Sequence, residues 1–537
     1  MKKLILVILI AFGLLAACGS GGNAQDQDTQ DATPSAPSPA TPEPVATPQP
    51  DDTENDIDAD PGAIDWDEHI TFTWFMVTSP GIYSDDDTNP GVEYLQERFN
   101  VSFEFNHPPI GMEGAYFDNM MAGGVFTDVI YLSSYQGDIA QLYYDGVIVD
   151  IAGWLDYMPN KRRLLETNRD FARAAFDDNG RILQLVIIQD EPGYASAGLM
   201  YRHDILETMT EGYVQFPSGS DIPMTIEDWE YMLPLFLEYF LMQGFEDYAP
   251  FILPASGVNP FGAMTNSFGG YHGLYRRDGV VYHGLLQPGF FDYVATMRDW
   301  YMQGFLHQGF ADDDRLWDMF FMPNPGLVFG GAAGAFYGMM MHVGDRLSAP
   351  ELELHFDVRA VPSPRAVGIN RQDMLRRQED VFSLGRHSAV AASNPDIGRF
   401  LAVIDVLYSE TDTAGWHRGT GGAIRLPGFF AQSVVNNARD AETARAHQVW
   451  TAQCSVSEVL TLPRELTPTL EEAARIAEIE FDIDTILDEM LVGFIRGDIP
   501  LDEGTWADFT GQVRDVGAEE LVSIMQAVYG RFLARGL

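Results

Sequence analysis

The chain has 537 residues, too many for one ordinary domain, and 46% of them are hydrophobic, which is ample for a large core. Its 79 acidic and 32 basic residues give a formal charge of −47, and such a surface repels phosphate backbones, so we expect no nucleic-acid partner. The only lysines are Lys2, Lys3 and Lys161, and none lies in a phosphate-binding motif, which excludes a P-loop ATPase.

The first residues have the pattern of a bacterial export signal. Two lysines precede an apolar run from Leu4 to Ala17, which is short for a membrane span and typical of a signal peptide. The run ends in LAAC, which resembles a lipobox, so we predict a lipoprotein signal peptide at residues 1–17 and lipid attachment at Cys18. An ordinary secretory signal with an incidental cysteine is the alternative. The prediction places the protein on the extracytoplasmic face of the cell membrane, held by its lipid.

A tether is predicted to follow, over residues 18–65. This segment is rich in Pro, Ser, Thr and Asp, includes PSAPSPATPEPVATPQP, and shows no apolar periodicity, so we expect it to be disordered. Asp56, Asp58 and Asp60 alternate as in a calcium loop, but Pro61 stands where an EF-hand needs glycine. We therefore interpret the segment as a linker, and we expect no metal and no cofactor.

The body, residues 66–537, begins with alternating strand and helix patterns. Apolar and β-forming residues from Ile70 to Val77 predict a buried strand that ends at a Thr-Ser-Pro-Gly loop. GVEYLQERFN then predicts a helix, VSFEFNH a strand, and Asp128 to Leu132 another strand. This order favours an α/β fold with a largely parallel sheet, in which ligands bind beyond the carboxyl ends of the strands.

Several segments of the body occur in an order that matches one protein family. They are GGVFTDVIYL, GVIVDIAGWLDYMPN, LMYRHDIL, MTIEDWEYML (with Thr225 as a predicted helix N-cap), the run from GLYRRDG to HQGFA, and the C-terminal GDIPLDEGTWADFTGQVRDVGAEELVSIMQAVYGRF. Together they resemble the extracellular solute-binding lipoproteins of bacterial ABC importers, family 1, the carbohydrate-binding type. The resemblance extends over most of the body.

The resemblance implies a two-lobed α/β architecture, the type II periplasmic-binding-protein fold, with a hinge between the lobes. Lobe 1 is expected at about 66–195 and 355–385 and lobe 2 at about 200–345, with C-terminal helices at about 390–537 that buttress both. The implied function is capture of a small molecule, an oligosaccharide, by hinge closure, and its delivery to ABC permease subunits. A monomer without enzymatic activity is expected. The alternatives are a similar receptor for a peptide or another polar solute, and a surface glycoside-active enzyme, which needs only two facing carboxyl groups.

Candidate ligand contacts follow from the chemistry of sugars, which present apolar C–H faces and hydroxyl edges to aromatic and polar side chains on loops. The candidates are Trp74, Phe75, Ser79, Tyr131, Ser133, Ser134, Tyr135, Phe268, Tyr271, Phe336, Tyr337 and Trp416. The alternative for the polar members is turn chemistry, and for the aromatic members it is packing in the core. Arg202 and Asp204 are predicted to pair with each other and to have no ligand role.

Overall fold

The computed structural model describes residues 64–76, 90–109, 112–132, 135, 137, 139–189, 197–259, 262–312, 325–348, 355–376, 382–409, 426–430, 441–454, 459–463 and 465–535. The predicted signal peptide, Cys18 and the predicted tether up to residue 63 lie outside these residues. Every described element belongs to one compact unit, Ile57–Leu537. Among the described helices, none combines the length and the apolar composition that a membrane crossing requires.

The strands of the described residues are β1 (Ile70–Phe75), β2 (Val101–Asn106), β3 (Val129–Tyr131), β4 (Leu185–Gln189), β5 (Ala197–Arg202), β6 (Ala249–Phe251), β7 (Leu274–Arg277), β8 (Val280–His283), β9 (Ala333–Met339), β10 (Val358–Val361), β11 (Leu375–Arg376), β12 (Phe382–Val390), β13 (Gly428–Phe430) and β14 (Val459–Thr461).

The α-helices are α1 (Pro90–Phe99), α2 (Glu113–Gly123), α3 (Ile139–Tyr144), α4 (Pro159–Thr167), α5 (Arg169–Ala175), α6 (His203–Met209), α7 (Ile226–Gln243), α8 (Pro288–Met302), α9 (Pro325–Phe329), α10 (Ile397–Asp405), α11 (Ala441–Cys454), α12 (Leu470–Ile486), α13 (Val492–Arg496), α14 (Glu503–Asp515) and α15 (Ala518–Ala534).

A six-stranded sheet forms the centre of the first body, which we define as residues 64–189 and 382–430. The strand order is β13-β4-β12-β3-β1-β2. The predicted order of strand, helix and strand is present as β1, α1 and β2, and β1 pairs in parallel with both β2 and β3. The sheet is nevertheless mixed, because β12 lies between β3 and β4 and is antiparallel to both. Alternate residues of β1 face opposite sides of the sheet, so Trp74 and Phe75 enter two different hydrophobic cores.

Two further sheets belong to the second body, which we define as residues 197–376 and 441–535. One has the order β10-β5-β9-β6, and the other has the order β11-β14-β7-β8. The largest core of the molecule lies here, where Trp229 and Trp300 stack with an interplanar angle of 3° and ring centroids 6.1 Å apart. Helices α12, α14 and α15 pack against the same core through Ile479, Phe509 and Leu521.

In the order of the described elements, the chain passes between the two bodies three times. It leaves the first body after β4, returns at β12, and leaves again after β13 for α11. Trp450 of α11 donates from Nε1 to the carbonyl oxygens of Leu199 and Val361, which attaches α11 to β5 and β10. The predicted lobe boundaries remain a prediction. Strand pairing places β10 beside β5 of the second body and β12 in the sheet of the first.

Local signals of the sequence explain two features near the start of the second body. Thr225 caps α7 as predicted, since its hydroxyl accepts from the backbone N–H of Asp228 while the Asp228 carboxylate accepts from the backbone N–H of Thr225. Arg202 donates from Nε to Oδ1 of Asp204 at 2.8 Å, so the predicted pairing is confirmed. The Arg202 guanidinium also lies 3.9 Å from the ring centroid of Phe356.

Candidate functional site

An aromatic cluster lies where the parallel strands β1 and β3 end. Phe75, Tyr131 and Tyr135 belong to one small core with Phe117, whose ring centroid lies 6.2 Å from that of Phe75 and 5.5 Å from that of Tyr135. Phe75 and Tyr131 are buried, and Tyr135 is half-buried. The structure thus brings three of the predicted contacts together at the sheet edge where ligands of α/β folds bind. Ser79, Ser133 and Ser134 lie outside the described residues.

Trp74 lies on the opposite face of β1 and has no exposed surface. Its ring centroid is 6.0 Å from that of Phe105 and 5.8 Å from that of Phe400, inside the core between the sheet and α10. The reason is the twofold alternation of a strand, which turns Trp74 away from the side that Phe75 occupies. In this conformation Trp74 is a core side chain, and its contact with a ligand stays a prediction.

The predicted contacts of β9 are also buried. Phe336 and Tyr337 are 1% and 3% exposed, and they enter different cores because successive residues of the strand face opposite sides. β9 lies between β5 and β6, so neighbouring strands cover both of its edges. Both rings pack inside the second body in this conformation, and their role in binding also remains a prediction. Trp416 lies outside the described residues.

The segment around Thr265–Phe268 holds the two remaining predicted contacts. Phe268 is buried against Tyr293, with ring centroids 6.0 Å apart. Tyr271 is half-buried and packs with Tyr275 and Tyr282 of the β7–β8 hairpin. A side chain on Gly284 would overlap the carbonyl oxygen of Tyr271, so glycine is required where this segment crosses the end of β8. The structure places these residues in the second body, apart from the aromatic cluster of the first.

Three polar side chains that the sequence did not single out have buried polar atoms in this part of the second body, although the His272 side chain as a whole is half-buried. Asn259 has no exposed surface, and among the residues that the structure describes neither of its amide atoms has a hydrogen-bond partner. The Nδ1 atoms of His272 and His283 are also buried, and within the described residues they have no hydrogen-bond partner. The sequence segments QPG after β8 and GVN at residues 257–259 mark the region, but nothing in the local sequence indicates that these polar groups are buried.

Burial determines the protonation of the two histidines. Desolvation lowers the pKa of His272 to about 4. Desolvation, and then repulsion by the charge of His272, lower the pKa of His283 to about 4 as well. Leu274 pairs with His283 across the hairpin, so His272, two residues earlier, lies diagonally opposite it. At neutral pH both rings are uncharged, and each offers one hydrogen-bond donor and one acceptor.

A metal centre does not emerge from the described residues. Within them, no group of three or more His, Cys, Asp or Glu side chains is arranged to hold a metal ion. Asp405, which is buried beside Lys161, accepts hydrogen bonds from backbone N–H groups at the start of α4, so its role is structural. What the two regions offer chemically is aromatic surface in the first body and uncharged polar groups in the second.

Comparison with known proteins identifies the fold. An HMO-binding solute-binding protein associated with an ABC transporter of Bifidobacterium longum infantis is 15% identical, with a TM-score of 0.66 over 86% of this chain and 99% of that one. FusA, an ABC-transporter substrate-binding protein of S. pneumoniae solved with kestose, is 14% identical, with a TM-score of 0.62 and the same coverage. This chain has the fold of ABC-transporter solute-binding proteins. The predicted two-lobed α/β fold class is therefore confirmed.

A third structure with this fold is an extracellular solute-binding protein of Bifidobacterium longum subsp. infantis, 15% identical, with a TM-score of 0.65 over 87% of this chain and 99% of that one. No protein-family model matches the chain, and no curated protein matches it by sequence. The solute-binding fold is thus recognised from its backbone and from the order of short segments, and not from overall sequence identity.

Proposed function

We propose that this protein is a lipid-anchored, extracytoplasmic substrate-binding protein of an ABC importer that captures an oligosaccharide. The observation that carries the proposal is the fold likeness, which spans nearly the whole length of an HMO-binding protein and of FusA, which was solved with kestose. The three passages of the chain between the bodies support a hinge. Capture requires no covalent chemistry, and the separate permease supplies the energised step.

The chemistry of the two regions supports a sugar ligand. Within the aromatic cluster, the half-buried ring of Tyr135 offers a face on which apolar C–H groups of a sugar pack. Asn259 and His272 offer uncharged donors and acceptors for hydroxyl groups. The described residues that we assign to the two regions are aromatic, amide or uncharged imidazole groups, which favours a neutral oligosaccharide over a charged peptide.

We expect isothermal titration calorimetry against a panel of oligosaccharides to give saturable binding, and Tyr135→Ala to weaken that binding about tenfold, or about 1.4 kcal/mol. Tyr135 is the least buried of the predicted contacts in the aromatic cluster, so its ring is the one that a sugar reaches most easily. The matched control is Tyr213→Ala, which removes a tyrosine that is 86% exposed in the turn after α6. It should bind as the wild type does.

The same titrations separate the alternatives. If the protein bound peptides and none of the oligosaccharides, it would be a receptor for another class of solute. Release of shorter sugars from a bound glycan by the purified protein would contradict the non-enzymatic proposal. Equal affinity of Tyr135→Ala and the wild type would leave the capture function intact but remove the aromatic cluster from the site.

The lipid anchor gives a prediction of its own. Cys18→Ala should move the protein from the membrane fraction to the soluble fraction, because no thiol remains to carry the acyl chains. The control is Cys454→Ala, which removes the only other cysteine of the chain and should leave the protein with the membranes. Fractionation followed by immunoblotting measures both variants. Retention of Cys18→Ala in the membrane fraction would contradict lipid attachment at this residue.

A further inference from the structure

Two arginines at the end of α15 bind one carboxylate of the first body. Arg531 donates from Nε to Oδ2 of Asp178 at 2.9 Å, and Arg535 donates from Nε to Oδ1 of the same carboxylate at 2.6 Å. Both bonds are charge-assisted, and both oxygens of Asp178 are used. The side chain of Asp178 is 21% exposed and that of Arg535 only 3%, so solvent screens this cluster less than an ordinary surface pair.

The cluster connects the two bodies. Asp178 lies in the turn between α5 and β4, where Phe176 packs against the core of the first body and Ile182 is part of it. Arg531 flanks Phe532, which packs with Tyr529 and with Val281 of β8 in the second body. Asp178 and Arg531 are 353 residues apart in the sequence, so the contact depends on how the bodies are arranged.

The arginines keep other partners within the second body. Arg531 donates from Nη1 to Oε1 of Glu472 at 3.0 Å, and Glu472 is itself held in the capping box that starts α12. Arg535 donates to the carbonyl oxygen of Glu465 at 2.7 Å and to the hydroxyl of Thr467. If Asp178 moves away, Arg531 keeps the carboxylate of Glu472, whereas Arg535 keeps two neutral acceptors and, among the described residues, no carboxylate. The contact with Asp178 is therefore the one that neutralises Arg535, and its loss favours an arrangement in which water reaches that guanidinium.

Open space borders the cluster. A cleft of about 440 Å³ is lined from the first body by Phe176, Asp178 and Gly180 and from the second body by Arg531 and Arg535. The two bodies meet here through charged groups beside the cleft. An ion pair at this position can separate without leaving an apolar cavity behind.

We propose that Asp178, Arg531 and Arg535 form an ionic clasp that holds the two bodies in the arrangement seen here and so sets the equilibrium on which ligand capture acts. The proposal rests on the hinge motion of the proposed function. The clasp contains none of the predicted ligand contacts, so we expect it to bias the equilibrium through the arrangement of the bodies. The test therefore substitutes Asp178, because Arg531 and Arg535 also make hydrogen bonds within the second body.

The test measures the distance between the bodies in the absence of any ligand. Spin labels at Glu166→Cys in α4 and Glu246→Cys after α7, both exposed positions, report that distance by double electron–electron resonance in the full-length chain with Cys18→Ser and Cys454→Ser. We expect Asp178→Asn to change the ratio of the interbody distance populations at least about fivefold, and Asp178→Glu to restore most of it.

The matched control is Glu520→Gln. Glu520 accepts from Nε of Arg475 at 3.0 Å and from its Nη2 at 2.6 Å, so it is an equally well-formed pair, but it joins α12 to α15 within the second body. It should leave the distances unchanged. Wild-type distances in Asp178→Asn, or an equal shift in Glu520→Gln, would overturn the clasp. Since no sugar is present, a chain that binds no oligosaccharide would refute the proposed function and leave this result standing.

Discussion

We expect Asp405→Ala to lower the free energy of unfolding by about 3–5 kcal/mol. Asp405 ends α10 and is 3% exposed. Its Oδ2 accepts from the backbone N–H and from the side-chain Nδ2 of Asn160, each at 2.9 Å, and its Oδ1 accepts from the backbone N–H of Lys161 at 2.9 Å. These groups start α4, so Asp405 caps that helix from another one, and alanine would remove the carboxylate acceptor of three buried or half-buried donors.

The neighbouring lysine increases the loss. Lys161 has no exposed surface, and its Nζ lies 4.8 Å from the ring centroid of Tyr408. Burial lowers the pKa of Lys161 to about 7, and the negative charge of Asp405 is what opposes that shift. Without Asp405 the cation would be buried with no opposite charge, so it would have to lose its proton or open the structure.

Urea unfolding of four variants, each compared with the wild type, tests the structural role of Asp405. Lys161→Met alone should lose little, because it removes a buried charge and leaves the three bonds of Asp405 in place. The double variant of Lys161→Met and Asp405→Ala should lose less than the sum of the single variants, since the two side chains interact. The control is Asp396→Ala, which removes an ordinary N-cap of α10 and should cost about 1 kcal/mol. A loss in Asp405→Ala no greater than that of Asp396→Ala would contradict the prediction.

Sequence patterns predicted those elements that depend on residues close together in the chain. The apolar run of β1 and the spacing of α1 predicted their elements to within a few residues. Thr225 predicted the start of α7, because a helix N-cap acts on backbone groups two or three residues away. The same patterns could not decide which face of a strand meets the ligand. Trp74 and Phe75 follow each other in one strand and have similar apolar character, yet they enter different cores.

Contacts between distant segments were beyond any local pattern. The bond from the backbone of Lys161 to Asp405 spans 244 residues, and nothing in the sequence near either residue indicates the other as its partner. A return of the chain to lobe 1 was expected at about 355–385, but the antiparallel direction of β12 in the first sheet was not predicted, since it depends on the path of the chain through the second body. The buried amide of Asn259 lies in a turn that would ordinarily be assigned to the surface.

The buried imidazoles of His272 and His283 should make the protein sensitive to mild acid. Their pKa values are lowered to about 4 in the folded protein, below the value of about 6.5 expected in the unfolded chain. Between these two values the unfolded chain binds protons that the folded protein does not. Stability therefore falls as the pH falls from about 6.5 to about 4, by up to about 3 kcal/mol for each imidazole, and this contribution does not change above pH 6.5.

Urea unfolding at pH 7.5 and pH 4.5 separates the two imidazoles from the many carboxylates of the chain. His283→Gln removes one titrating group, so the stability difference between the wild type and this variant should shrink, or change sign, by about 3 kcal/mol at the lower pH. The control is Tyr282→Phe, on the preceding residue of the same strand, which keeps both imidazoles and should differ from the wild type by the same amount at both pH values. The prediction would be wrong if His283→Gln and the wild type differed in unfolding free energy by the same amount at both pH values. The folded protein would then hold His283 in its protonated form. That form needs a charge partner, which the buried position of His283 does not supply.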